Sequence, residues 1–156
     1  MTTQYTQQIP LKIFLHWSGA ASYTAVFPDY HTNIKARRSL IKPWTRVAEV
    51  VRVHPYDRRL YHHTAYRNKD AVAISCCGAG NGYPILPQQI EVMCAEAARV
   101  CKQYNIPVDD QHIFTHAEAA IKDQYYPERV DLDGRGNELR NKIRYYLKRL
   151  QQGFPV

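Results

Sequence analysis

Thr115-His116-Ala117-Glu118, entered from the apolar pair Ile113-Phe114, reads as a short buried strand that presents a histidine at its end. Asp131 follows fifteen residues later, and at the other end of the chain Leu15-His16-Trp17 closes an apolar run that begins at Leu11. His16, His116 and Asp131 can together form a metal triad. Two imidazoles and one carboxylate, with a fourth position left for water, make a catalytic rather than a structural zinc site. These donors leave Zn²⁺ Lewis acidic, and water on such an ion ionises near neutral pH, which suits amide hydrolysis without a covalent intermediate. Ligands so far apart in sequence meet only through the fold, so the rest of the chain must supply the framework.

Working outward, Ser18-Gly19-Ala20-Ala21-Ser22 breaks the first strand, and Tyr30 to Ile34 alternates as an antiparallel strand does. Residues 42–53 carry Pro43 and the β-branched run Val47, Val50, Val51 and Val53, which allows a strand without dictating one. Ala71 to Cys76 reads as a buried central strand ended by Gly78-Ala79-Gly80-Asn81-Gly82. That glycine loop lacks G-x-G-x-x-G or Walker spacing and is no phosphate cradle. The clearest helix opens at Pro87, sets Ile90, Met93, Cys94, Ala97, Ala98, Cys101 and Tyr104 on one face, and ends at Asn105-Ile106-Pro107. From Asn137 a second helical pattern places Leu139, Ile143, Tyr146, Leu147 and Leu150 opposite basic residues. It is expected to pack on the sheet rather than lie on a membrane.

The length of 156 residues, with 45% hydrophobic and 22% charged content, suits one globular domain spanning 1–156, and no repeat or linker divides it. Cys76 and Cys77 are adjacent on a strand and point to opposite faces, while Cys94 and Cys101 share a helical apolar side. All four are expected to be free buried thiols rather than disulfides or metal ligands. The net charge of +7 raises the question of nucleic acid. The cations are dispersed, however, over Arg37-Arg38, Arg46, Arg52, Arg58-Arg59, Arg140, Lys142, Arg144, Lys148 and Arg149, and no nucleic-acid motif accompanies them. No nucleic-acid partner is therefore expected.

Taken in order, Ile13-Phe14-Leu15-His16-Trp17-Ser18-Gly19, Asp29-Tyr30-His31, His63-Thr64-Ala65 with Asn68, Ala73-Ile74-Ser75 and Thr115-His116-Ala117-Glu118 resemble the zinc N-acetylmuramoyl-L-alanine amidases. The peptidoglycan-recognition proteins belong to the same superfamily, and the resemblance runs from roughly Leu11 to Asp131, nearest to the phage lysozyme-like type. It implies a mixed α/β fold with a central sheet flanked by helices and a zinc cleft on one face. It also implies His16, His116 and Asp131 as ligands, with Asp133 a nearby competitor for the third place. Tyr30 matches a tyrosine that some phage-type members use near the zinc-bound water, and Arg129 stands where the family often has an oxyanion-stabilising lysine. Guanidinium can fill that role.

Ser75 occupies the place where recycling-type amidases carry a general-base glutamate, and serine is a poor base. The chemistry would then lean on Tyr30, or on Glu118 if the strand continued far enough to turn it toward the ligands. Otherwise Glu118 would orient a histidine ring from outside the ligand shell. His63, Thr64 and His31 are the expected substrate contacts, although a rival metal set of His31, His63 and His116 also fits the spacing alone. His54 and His112 read as surface or structural. Tyr23, Phe27, Tyr66, Tyr83, Tyr125 and Tyr126 could bracket a sugar or peptide.

The resulting expectation is a zinc-dependent peptidoglycan amidase that cleaves the bond between N-acetylmuramic acid and L-alanine of the stem peptide. A non-catalytic peptidoglycan-binding module of the same fold is the alternative. Met1-Thr2-Thr3-Gln4 opens neither a basic nor an apolar signal region. Synthesis in the cytoplasm is therefore expected, with access to the cell wall after lysis or by specialised secretion, as for an endolysin or an antibacterial effector. A monomer without stable membrane insertion follows from the same reading, and an effector could be accompanied by an immunity protein.

Overall fold

The computed structural model describes residues 5–125 and 131–156. Its elements run β1 (Lys12–Trp17), β2 (Thr32–Arg38), β3 (Arg46–Arg52), β4 (Ala71–Cys76), α1 (Pro87–Tyr104), β5 (Ile113–Thr115), α2 (His116–Lys122) and α3 (Gly136–Gln151). The strands form one mixed sheet in the order β3-β2-β4-β1-β5. β1 lies parallel to β4 and to β5, β2 lies parallel to β4, and β3 returns antiparallel along β2 as an edge.

Side-chain alternation sorts the sheet into two unlike faces. Ile13 and Leu15 of β1 join Ile34, Val72, Ile74, Ile113 and the α1 residues Met93 and Cys94 in the main core, which α3 completes with Leu139 and Ile143. Phe14 points the other way, into a small cluster with Ala71, Phe114 and Ala119 of α2. His16 shares the parity of Phe14, so it falls on the thinly covered α2 face.

The helix α1 begins at Pro87, where a missing N–H costs nothing, and stops at Asn105, whose φ of 56° is the left-handed turn that returns its N–H to the Cys101 carbonyl. Buried Gln89 fastens its first turn to the sheet, donating to the carbonyls of Ile34 at 3.0 Å and Cys77 at 2.8 Å.

Three expectations are corrected. The second strand starts at Thr32, not Tyr30, and does not alternate, because Thr32, Asn33 and Ile34 are all buried where helices and loops cover both faces. The amphipathic helix from residue 136 lies chiefly on α1 and meets the sheet mainly at β5. His116 does not end a strand: Thr115 accepts from the N–H of Glu118, caps α2, and makes His116 the first helical residue. The four cysteines are free and buried. No helix is long and apolar enough to cross a membrane among the described residues.

Candidate metal centre

β1 and β5 are neighbouring parallel strands in which Leu15 is level with Thr115. The next residue of each chain, His16 and His116, therefore emerges at the same end of the sheet. Their ring centroids are 4.8 Å apart. Asp131 reaches them from beyond α2, with its main-chain carbonyl accepting from Ala117 N at 3.2 Å. Leu132, fully buried at a left-handed φ of 57°, turns the chain sharply just after it. That conformation is costly for a branched residue and persists because its surroundings fix it.

The Asp131 Oδ2 lies 3.0 Å from His116 Nδ1 and 3.8 Å from His16 Nδ1. One donor atom from each residue falls within 4.8 Å of the others, and the side chains are buried, at 0% exposure for His16, 6% for His116 and 2% for Asp131. In a tetrahedral shell with ordinary zinc bond lengths, donor atoms stand roughly 3.3 Å apart, a separation the two observed distances bracket. The donor set thus suits a small divalent cation in number, type and spacing. Asp133, the competing carboxylate, is exposed and lies outside the cluster.

Tyr30 sits beside the triad with its ring centroid 5.0 Å from that of His16. Its loop is pinned by buried Asn33, which accepts from Phe27 N at 3.2 Å and donates to Phe27 O at 3.0 Å. His63 meets His16 edge-on at 5.5 Å and is buried, with neither ring nitrogen hydrogen-bonded among the described residues. Burial, then the neighbouring His16, His31 and His116, hold its pKa well below the usual histidine value. His63 is therefore a neutral imidazole with an unspent donor and an unspent acceptor at the edge of the site.

Other expected contacts are committed elsewhere. His31 accepts from Ala73 N on Nδ1 at 3.0 Å, which leaves the Nε2 hydrogen to the Arg58 carbonyl at 2.7 Å. Burial lowers its pKa to about 4. His31 is a structural pin between β4 and the Arg58 loop rather than a cleft wall, and a metal set built on it is removed. The Thr64 hydroxyl donates to Asn68 Oδ1 at 3.2 Å and accepts from Arg67 N at 2.9 Å, so it closes its own loop instead of facing a substrate.

Glu118 accepts from Thr115 N at 2.9 Å and from Arg140, which turns its carboxylate toward α3 and not toward the histidines. Arg129 and Tyr126 lie outside the described residues. Ser75 is level with His16 across β1 and β4, and among the described residues its hydroxyl reaches only the Cys76 carbonyl at 3.5 Å.

Two supports escaped the sequence reading. Arg140 and Asn33 hold the site's elements, and Arg140 carried a usable signal: it stands with Gly136 and Ile143 on the inward stripe of an amphipathic helix, an unusual place for a charge. Tyr125 bridges two loops, its ring 6.1 Å from His116 and 5.6 Å from Tyr66. A cleft of about 560 Å³ opens alongside, lined by Tyr5, Asp29, His54, Arg58, Arg59 and His62. Asp29 and His62 directly precede Tyr30 and His63 in the chain.

The family model for N-acetylmuramoyl-L-alanine amidase matches residues 6–129. The chain is also similar in fold to the Staphylococcus aureus hydrolase AmiA, solved in complex with its ligand, at 11% identity over 99% of this chain and 83% of that one, with a TM-score of 0.67. The amidase LysC from Clostridium intestinale aligns at 18% identity over 92% and 95% of the two chains, with a TM-score of 0.58. The endolysin of the Thermus scotoductus bacteriophage Ph2119 aligns at 12% identity over 90% and 88%, again with a TM-score of 0.58. No curated protein matches the chain at a comparable level.

Proposed function

The chain belongs to the N-acetylmuramoyl-L-alanine amidase family and is a peptidoglycan amidase; from that premise we propose that His16, His116 and Asp131 hold the zinc ion of the reaction. The carrying observation is the convergence of two imidazoles and a carboxylate, all buried, at the shared end of β1 and β5. When bound, zinc supplies a Lewis acid for the scissile carbonyl and lowers the pKa of water at its open position.

The residues around it divide the remaining work. Asp131, held to the first turn of α2 by its own carbonyl, supplies the carboxylate of the donor set beside the His116 and His16 rings. Tyr30, its ring tilted beside that of His16, offers its hydroxyl to the attacking water and to the proton it must shed. Ser75 leaves no carboxylate at the level of His16 on β4, which puts that task on the tyrosine. The unspent ring nitrogens of His63 give the substrate a donor and an acceptor. Arg129, two residues before Asp131, donates to the oxyanion as the carbonyl becomes tetrahedral. Carboxylates of the stem peptide find Arg58 and Arg59 in the neighbouring cleft. The enzyme acts as a monomer of endolysin or effector type.

The test combines metal analysis with mass spectrometry of isolated sacculi. The wild type should carry one zinc per chain and release stem peptides with a free alanine amine, and His16→Ala and Asp131→Ala should lose both properties. Full activity in His16→Ala, or tight sacculus binding without peptide release by the wild type, would end this assignment.

A further inference from the structure

The hairpin joining β2 to β3 ends in three large apolar side chains that touch almost nothing: Leu40 is 91% exposed, Ile41 88% and Trp44 79%. The tip is an ordered turn. Ser39 N donates to Thr45 O at 3.0 Å, Thr45 N donates to Lys42 O at 2.8 Å, and the Ser39 hydroxyl accepts from the amides of Ile41 and Lys42. The three side chains are thus held out into solvent.

The base of the tip is cationic. Arg38 stands directly opposite Arg46 across the two strands, a like-charge pairing that disfavours the hairpin. Arg46 turns aside to lie 4.5 Å over the Tyr23 ring. Arg37 is paired with Glu49 at 3.3 Å, but Arg38 and Lys42 have no acidic partner among the described residues. Nothing within the fold uses this combination of bare apolar tip and uncompensated charge.

We propose that the β2–β3 tip docks the protein peripherally on an anionic lipid bilayer, with Leu40, Ile41 and Trp44 entering the interfacial layer while Arg38 and Lys42 meet lipid phosphates. Tryptophan at headgroup depth, aliphatic side chains below it and lysine or arginine above is the pattern that interface selects. Each cation near an anionic leaflet adds attraction. A second copy of this chain is disfavoured as occupant, because it would bring like charge against like on a molecule of net charge +7. A sugar is disfavoured because, of the three side chains, only Trp44 offers it a flat face and an N–H, while Leu40 and Ile41 offer neither.

The topology gives the docking an orientation. β2 runs parallel to β4, and Asn33 is level with Ser75 and so with His16. Arg38 lies five residues further along β2, which at roughly 3.3 Å per residue carries the base of the tip about 16 Å beyond the level of the triad at the same end of the sheet. A molecule seated on its tip turns the metal-bearing edge toward the bilayer, where the layer of wall next to the membrane lies.

Sedimentation with vesicles of phosphatidylglycerol and phosphatidylethanolamine, and with pure phosphatidylcholine, tests this. Binding should be confined to the anionic vesicles, weaken with salt and blue-shift the emission of Trp44. Leu40→Ser, Ile41→Ser and Trp44→Ala combined should lower the partition coefficient roughly tenfold or more, as should Arg38→Glu with Lys42→Glu. These exposed positions leave the fold intact, checked by the melting temperature, and peptide release from isolated sacculi should stay within about twofold of wild type, so the outcome is independent of the amidase assignment. Absence of binding to anionic vesicles at low ionic strength, equal binding by the tip variants, or loss of sacculus binding alone would overturn the proposal.

Discussion

Arg140 grips Glu118 through two hydrogen bonds, Nη1 to Oε2 at 3.0 Å and Nη2 to Oε1 at 2.9 Å, and its Nη1 also donates to the Ile113 carbonyl at 2.9 Å. One guanidinium thereby joins α3, the first turn of α2 and β5, the three segments that frame His116. Gly136 completes the fit, since a Cβ there would stand 2.0 Å from Glu118 Oε1. Removing one partner of a largely buried ion pair strands the other. Arg140→Ala should therefore destabilise the protein by about 3 kcal/mol, read from the urea midpoint. Zinc affinity should fall as well, because the first turn carrying His116 loses its brace. An unchanged midpoint would show that the clamp carries no net stability.

Gly80 packs against the backbone where Ala20 and Ala79 bridge the loops that follow β1 and β4. A Cβ added there would lie 2.3 Å from the Ala20 carbonyl carbon, and main-chain atoms cannot move aside as a side-chain tip can. Gly80→Ala should cost about 3 kcal/mol, at the upper end of ordinary overpacking, and lower the melting temperature by several degrees. A variant as stable as wild type would mean that this bridge yields readily.

Tyr30 and Ser75 flank His16 on two sides, and only one carries a group suited to proton transfer. Tyr30→Phe should lower kcat by about a hundredfold or more while zinc content stays at one per chain. Ser75→Ala should change kcat by less than about threefold, since it removes only a long hydrogen bond to a neighbouring carbonyl. The reverse ranking would move the proton-handling role to the serine.

Much of the framework was legible because each element carried a local signature. Ala71 to Cys76 is apolar throughout and is the fully buried β4, and Pro87 with the apolar face running to Tyr104 delimits α1 to the residue. The strand β3 was indefinite because an edge strand half open to water keeps neither a continuous nor an alternating pattern. His31 and Thr64 look like site residues in a list of polar side chains, yet their hydrogen-bond capacity is spent on backbone and loop partners that only the fold reveals. The partners of Arg140 lie on two other elements, although its place on the inward stripe of α3 was readable, whereas Asp131 was named through the family resemblance, with Asp133 as its competitor.

His31 should also shape acid stability. Its pKa falls from the ordinary 6.5 to about 4 because burial disfavours the imidazolium. The unfolded chain therefore binds the proton more readily, so stability from this residue is complete above pH 6.5 and drains away as pH falls toward 4. The loss across that window should approach about 3 kcal/mol. Chemical denaturation at intervals from pH 7 to pH 4 measures it, and His31→Asn should flatten the profile. An equally steep profile in that variant would assign the acid sensitivity to other groups.

The thiols sealed in the interior bear on the surroundings in which the enzyme can work. Burial pushes Cys77 up to about 11 and Cys94 and Cys101 up to about 12, so each stays protonated across the physiological range. Thiolates are what oxidants attack and what soft metals seek. With none exposed and each held protonated, the four thiols are poorly placed to be oxidised or to draw an ion away from the two histidines.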